Sequence, residues 1–411
     1  MNRIILIGNG FDLAHGLKTG YGNFIDWYWD KVKAQLKESQ VKKIKDDLYS
    51  FENETAYSIW NYLEYEITNI SNLSGRKFGI KLLSENINRS YFTFQPCKFL
   101  ENICQAIETK GWVDIENEYY NLLVKGYEQN KEDLSRDKLN IQLESLRELL
   151  CEYLNSLPID TIEFKSKIGK IINGPFNPND ISITRQDDLQ EHVNHWINSD
   201  QKEFDYQMWK YNKTGIDSYD QIDYKSKNEK LGLDEMYKNY SGFFLPNSIL
   251  LLNFNYTSTT EKYIETKRSI AEIYHIHGKL SKPESVIFGY GDEMDENYKK
   301  LSNLNDNEYL KNFKSIKYLE SDRYRKALQF MEAEPYQVYI MGHSCGNSDR
   351  TFLNTLFEHK NCVSIKPYYF KNGDKDNYLD IVQNISRNFT DMKLMRDRVV
   401  NKTYCKAFSE R

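Results

Sequence analysis

The sequence predicts an α/β protein built on a mainly parallel sheet, with a large helical insertion between the first and second strands. Short apolar, β-branched or aromatic runs occur at residues 4–10 (IILIGNG), 248–257 (SILLLNFNYT), 271–278 (AEIYHIHG), 286–291 (VIFGYG) and 336–344 (YQVYIMGHS). Buried parallel strands read as apolar runs of this length. Each run ends in Gly, Asn, His, Thr or Ser. Between about 20 and 245 no comparable run occurs and helical spacing dominates. An open parallel sheet places its ligand crevice at the carboxyl ends of its strands, so the polar endings are expected to converge on one site.

After the first run, Phe24, Trp27, Tyr28, Val32 and Leu36 recur at helical spacing and predict a core-facing helix. Leu139, Leu143, Leu146, Leu150, Tyr153 and Leu157 form a heptad-like stripe, read as a bundle-core helix with a dimerisation seam as the alternative. Trp60 with Glu64, and Trp112 with Glu116, each set an indole one turn before a carboxylate, read as an inward ring beside a solvated acid, with glutamates that overhang the strand-end crevice and contact a ligand as the alternative. Residues 199–231 are poor in aliphatics and predict an exposed loop. A polar insert at about 292–316 precedes a helix near 317–333, and 371–411 reads as a polar tail with one or two helical turns. The expected domains are therefore 1–20 with 246–370, a mostly helical insertion at 21–245, and the tail.

The 411 residues are 40% hydrophobic and 14% aromatic, enough for sizeable cores. A formal charge of -5 gives no footprint for bulk nucleic-acid binding. The six cysteines include no CxxC pair, so neither a disulfide framework nor a zinc knuckle is suggested. The first strand begins at Arg3 or Ile4 without an apolar leader, and no stretch is long enough to span a bilayer. A cytoplasmic protein with no membrane partner is expected.

The strand endings carry the chemistry. The turn Gly8-Asn9-Gly10-Phe11-Asp12 resembles a phosphate-binding strand-to-helix turn, but Leu13 stands where the dinucleotide fingerprint wants a small residue, which argues against a standard dehydrogenase. Asp12 reads equally as a ligand contact or as a structural cap. Strand alternation would put Asn253, Asn255 and Thr257 on one face, where side-chain amides can orient water or hold a sugar hydroxyl, the alternative being that they satisfy loop backbone groups at the strand end. His275 and His277 flank Ile276. One of them fits a general base, since an imidazole takes a proton near neutral pH; metal chelation and simple burial are the alternatives. In Gly342-His343-Ser344-Cys345-Gly346-Asn347-Ser348-Asp349, small residues follow a strand and precede a helix, with Ser348 or Asp349 as its N-cap. A serine-hydrolase reading of His343-Ser344 is disfavoured because adjacent side chains rarely point at each other.

The ordered set GNGFDLAHG, LLNFNYT, HIHG, IFGYGDE and GHSCGNSD resembles the AbiH-type bacteriophage abortive infection family. That family is itself similar to a distant branch of sirtuin-like, NAD-binding Rossmann proteins. The resemblance implies a Rossmann-like sheet and an antiphage effector that hydrolyses NAD at its nicotinamide glycosidic bond. It places catalysis on Asn255 and His277. It places the nucleotide on Gly8 and Gly10; the reading of the turns adds Asn9, Asp12, Gly278, Gly342, His343, Ser344 and Asp349 as candidate nucleotide contacts, and no metal is expected. The chain departs from the pattern at Thr257, where the pattern has Asp, and at Asn9 and Phe11, where it has smaller residues. A non-hydrolytic nucleotide sensor or scaffold remains an alternative. So does a metal-dependent nuclease built on Asp12, His275, His277 and Asp349. The insertion is expected to act as a lid, as a sensor for a phage-derived trigger or defence partner, or as the assembly surface of a homo-oligomer.

Overall fold

The computed structural model describes residues 1–38, 40–199, 203, 231–264 and 271–410. Its strands are β1 (Asn2–Ile7), β2 (Lys43–Lys45), β3 (Tyr49–Asn53), β4 (Phe92–Pro96), β5 (Ile249–Asn253), β6 (Ala271–His275), β7 (Tyr336–Met341), β8 (Cys362–Asn372), β9 (Lys375–Asp376) and β10 (Ala407–Glu410). Together with many helices they make a mixed α/β fold.

Seven of the described strands form one sheet in the order β10-β8-β7-β1-β5-β6, with β9 pairing with β8 off that path. Every pairing is parallel except that of β8 with β9. All residues of β1, β5 and β7 are buried, as strands covered on both faces must be. On one face Ile5, Ile7, Leu251, Tyr339 and Met341 pack with Phe11, Ile168, Ile172 and Phe408. Because the strands are parallel, β1, β5, β6 and β7 all finish on the same side, and each is followed by one of the polar endings.

The chain divides into two compact units. One comprises Met1–Leu17, Pro158–Val286 and Tyr318–Arg411, the other Lys18–Leu157 and Ile287–Lys317. The first contains the large sheet. In the second, the helix Tyr21–Lys37 buries Phe24, Tyr28, Val32 and Leu36 as its spacing predicts, while Trp27 is only half-buried. The helix Arg136–Asn155 buries Leu139, Leu143, Leu146, Leu150 and Tyr153, which is the bundle-core use of the stripe.

Four sequence expectations differ from the structure. The 20–245 block holds a three-stranded antiparallel sheet, β2-β3-β4, whose strands of three to five residues are too short to register as apolar runs; Phe51 and Phe94 stack across it at 4.4 Å. The run 286–291 is not a strand. Its Val286, Ile287, Phe288 and Tyr290 are buried, yet only Tyr290 makes an isolated bridge, to Phe313, so apolarity there reports burial without regular pairing. Strand β8 went unread because Lys366 and Pro367 interrupt its apolar run. The 371–411 segment is not a mere tail: a helix at Tyr378–Arg387 buries Tyr378, Ile381 and Ile385, a second helix spans Met392–Arg398, and β10 extends the sheet. Its apolar residues lie at helical spacing inside a polar sequence, which conceals them in an average over the segment. The expected exposed loop at 199–231 falls almost wholly outside the described residues.

Candidate functional site

The strand endings of the first unit meet through hydrogen bonds. The Gly8 amide donates to Met341 O at 3.4 Å, and the Gly10 amide donates to Gly342 O at 2.8 Å. These glycines are required by close approach: a Cβ on Gly8 would lie 2.5 Å from His343 Cα, and one on Gly342, whose φ is +78°, would lie 2.2 Å from the Phe11 nitrogen. Both Gly8 and Gly10 amides are thus engaged within the chain. The glycine pattern that suggested a phosphate nest has a packing explanation of its own. Gly278 likewise is demanded by its φ of +86° and by the Ser285 carbonyl, 1.9 Å from where its Cβ would stand.

Strand β5 ends at Asn253, so the strand alternation expected through Thr257 does not extend that far; residues 255–258 form a turn. Asn253 is fully buried and builds the turn. Its Nδ2 donates to Thr257 O at 3.1 Å and to Thr260 Oγ1 at 3.0 Å, and its Oδ1 accepts the Asn255 amide at 2.9 Å. Asn255 is half-buried and donates from Nδ2 to Gly8 O at 3.0 Å, tying the β5 ending to the β1 ending. Thr257 donates from Oγ1 to Asp12 Oδ2 at 2.7 Å. The other Asp12 oxygen is buried without a hydrogen-bond partner among the described residues. Burial pushes the Asp12 carboxyl up to about 6, while the neighbouring Thr257, Thr259 and Asn255 side chains pull it partway back.

The two histidines of the β6 ending are not equivalent. His275 faces the Asn253 amide through Nδ1 at 3.3 Å, and burial pushes it down to about 4 with further help from Lys279, so it is neutral near pH 7. His277 Nε2 lies 3.0 Å from Asp349 Oδ1 and 3.3 Å from the Tyr318 hydroxyl, with its ring 5.1 Å from Phe254. Asp349 turns its other oxygen to His343 Nε2 at 3.5 Å, and His343 Nδ1 accepts the Cys345 amide at 3.0 Å. That amide fixes the His343 tautomer: its proton sits on Nε2, pointing at Asp349. One buried carboxylate therefore serves two imidazoles. Asp349 takes the N-cap position of the helix Arg350–Glu358, as expected, without a side-chain cap bond, and its carboxylate faces the histidines.

Of the residues singled out in the sequence, Gly8, Gly10, Asp12, Asn255, His277, Gly342, His343 and Asp349 are joined to this set of endings by the contacts above, while Gly278 packs against Ser285. Asn9 and Ser344, at the same turns, are exposed. Sequence reasoning missed Tyr318 and Phe254 as neighbours of His277, and Asn384 and Asn388 as supports of the 344–345 turn. Asn384 Nδ2 donates to Ser344 O and Asn388 Nδ2 to Cys345 O, each at 2.8 Å. An earlier signal existed for these two in their spacing of four residues on a helix, a period that places both side chains on one face.

The second Trp/Glu pair reverses its expected roles. Trp112 is exposed and Glu116 is buried, because Glu116 Oε2 meets the wholly buried Lys314 Nζ at 3.0 Å and its Oε1 accepts the Gly289 amide at 3.0 Å. The first pair follows expectation, with Trp60 buried and Glu64 exposed.

Among the described residues no group of three or more His, Cys, Asp or Glu side chains is placed to hold a metal ion, and no helix is long and apolar enough to cross a membrane. No curated protein and no solved structure matches the chain. The family described as "Bacteriophage abortive infection AbiH" matches residues 4–370. The shared segment runs from within β1 almost to the end of β8, taking in all five strand runs and both histidine-bearing endings; the chain belongs to the AbiH family, and with it to antiphage abortive infection.

Proposed function

We propose that this abortive-infection protein acts by hydrolysing NAD at the nicotinamide glycosidic bond, on a Rossmann-like site at the carboxyl ends of β1, β5, β6 and β7. The observation that carries the proposal is the 3.0 Å contact between His277 Nε2 and Asp349 at the end of a parallel strand. A carboxylate on Nε2–H holds the ring in one tautomer and places the lone pair on Nδ1, the arrangement of an oriented general base. The strand order supports the location. From β1 the chain passes to β5 and β6 on one side, then returns to β7 on the other, and ligands of open parallel sheets bind where the order reverses.

In the reaction, the bond between ribose C1′ and the nicotinamide nitrogen breaks and its electron pair leaves with nicotinamide. Water supplies the new C1′–O bond and gives its proton to His277. Asn255 Oδ1 orients that water, its Nδ2 being held by Gly8 O. Asp12, with one oxygen lacking a hydrogen-bond partner among the described residues, is the acceptor we assign to a substrate hydroxyl. With the Gly8 and Gly10 amides engaged in the chain, the phosphates fall to the exposed rim at Asn9 and Ser344. The same engagement favours a second reading, a nucleotide sensor that binds without cleaving, and the two separate on one measurement: nicotinamide release.

The test follows nicotinamide after adding NAD to purified protein, with and without phage lysate. In the His277→Ala variant, turnover should fall by roughly a hundredfold to ten-thousandfold with nucleotide affinity nearly unchanged, since a base acts on the transition state. Unchanged turnover in both His277→Ala and Asn255→Ala would remove the catalytic assignment. A tight NAD complex that releases no nicotinamide under any condition would leave the sensor.

A further inference from the structure

The proposed site carries two buried carboxylates, Asp12 and Asp349, and a dinucleotide brings a diphosphate of the same sign. A cation at the rim is needed to offset that repulsion. The helix Tyr378–Arg387, beyond the family match, ends at the exposed Arg387. The Arg387 guanidinium donates from Nη1 to Asn384 Oδ1, and Asn384 Nδ2 donates in turn to Ser344 O at 2.8 Å. One turn of helix further on, Asn388 holds Cys345 O. Cys345 itself has a φ of +55°, a left-handed conformation uncommon for any residue but glycine. The 344–345 turn is thus held in a costly conformation from outside by the same helix that carries Arg387.

A basic residue in the last turn of a helix is favoured by the helix dipole alone. The dipole does not account for the two asparagines that lead from it to the rim. Nor does Arg387 have an acidic partner among the described residues, whereas Arg185 is paired with Asp188 and the buried Arg398 donates to Phe357 O.

We propose that Arg387 binds the diphosphate of the nucleotide at the rim formed by Ser344, with Asn384 as the positioning residue that aims it. This rests on the nucleotide-binding reading above. Arginine suits the task because its planar fork matches phosphate oxygens two at a time and stays charged at any working pH.

The experiment measures calorimetric binding of ADP-ribose, which carries the diphosphate, and of adenosine, which does not, to the full chain. Arg387→Gln should weaken ADP-ribose on the order of tenfold, the loss of one charge-assisted contact. Adenosine affinity and the melting temperature should not move, since the side chain is exposed. Arg387→Lys should restore part of the loss, and Asn384→Ala should reproduce part of it. ADP-ribose affinity within twofold of wild type in Arg387→Gln would overturn the assignment of Arg387 while leaving the site in place. Equal losses for ADP-ribose and adenosine would overturn it too, by showing a structural rather than a phosphate effect. Wild-type protein that binds neither ADP-ribose nor NAD would overturn both this assignment and the nucleotide reading beneath it.

Discussion

Two buried polar clusters in this protein are built on opposite principles. In the unit of Lys18–Leu157 and Ile287–Lys317, Glu116 and Lys314 form a closed account: both carboxylate oxygens have donors, and the ammonium sits on one of them. In the other unit, Asp12 keeps one oxygen without a hydrogen-bond partner among the described residues, and Asp349 faces both His277 and His343. A burial penalty that is fully offset makes a clamp. One left partly open, as at Asp12, leaves a carboxyl displaced from its ordinary value, and such groups gather at functional sites. Burial alone therefore says nothing about function here; the state of the partners does.

The largest effect that would break this contrast is on stability. Glu116→Ala removes the carboxylate that faces the fully buried Lys314 ammonium and should cost roughly 3–5 kcal/mol in urea unfolding, whereas removing both charges together with apolar replacements of similar volume should cost far less. Equal costs for the single and double changes would mean that the pair is not a closed clamp.

Asp12 gives the next effect. Its folded value of about 6 lies above the ordinary carboxyl value of 3.8, so the folded state holds its proton after the unfolded state has lost it. Stability from this group is fully present below the unfolded value and falls as pH rises from about 4 to about 6, by up to about 3 kcal/mol. The Asp12→Asn variant should lack that slope, so the difference in stability between variant and wild type should drift in the variant's favour across this window. Parallel curves between pH 4 and 6 would show that Asp12 is not held in its acid form.

The smallest effect concerns the divided carboxylate. Asp349→Asn keeps the shape and an acceptor but removes the charge facing both imidazoles, and should lower nicotinamide release by roughly tenfold to a hundredfold, a fraction of the whole base contribution. The fold should survive, as judged by unchanged circular dichroism. Activity equal to wild type would reduce Asp349 to a structural role like that of Glu116.

Much of the sheet was legible in the sequence because four of the five apolar runs carry their own signal. Residues 4–7, 249–253, 271–275 and 336–341 are strands, with register set among themselves. The fifth run failed because apolarity at Val286–Tyr290 serves packing, while its Gly289 amide is taken by a carboxylate more than 170 positions away in sequence. Strands β2 to β4 failed for lack of length, and the two helices and the strand after residue 371 for lack of average hydrophobicity.

The sequence by itself determined the convergence of polar endings. Parallel strands that finish in Gly, Asn, His and Ser must present those residues on one side of a sheet, since each pairing fixes direction and register. What only the tertiary structure decided is the role of each polar group, because that depends on which donor meets which acceptor across long stretches of chain. His275 and His277 are two residues apart and chemically identical, yet one is buried against the Asn253 amide and held neutral, and the other is set against the Asp349 carboxylate.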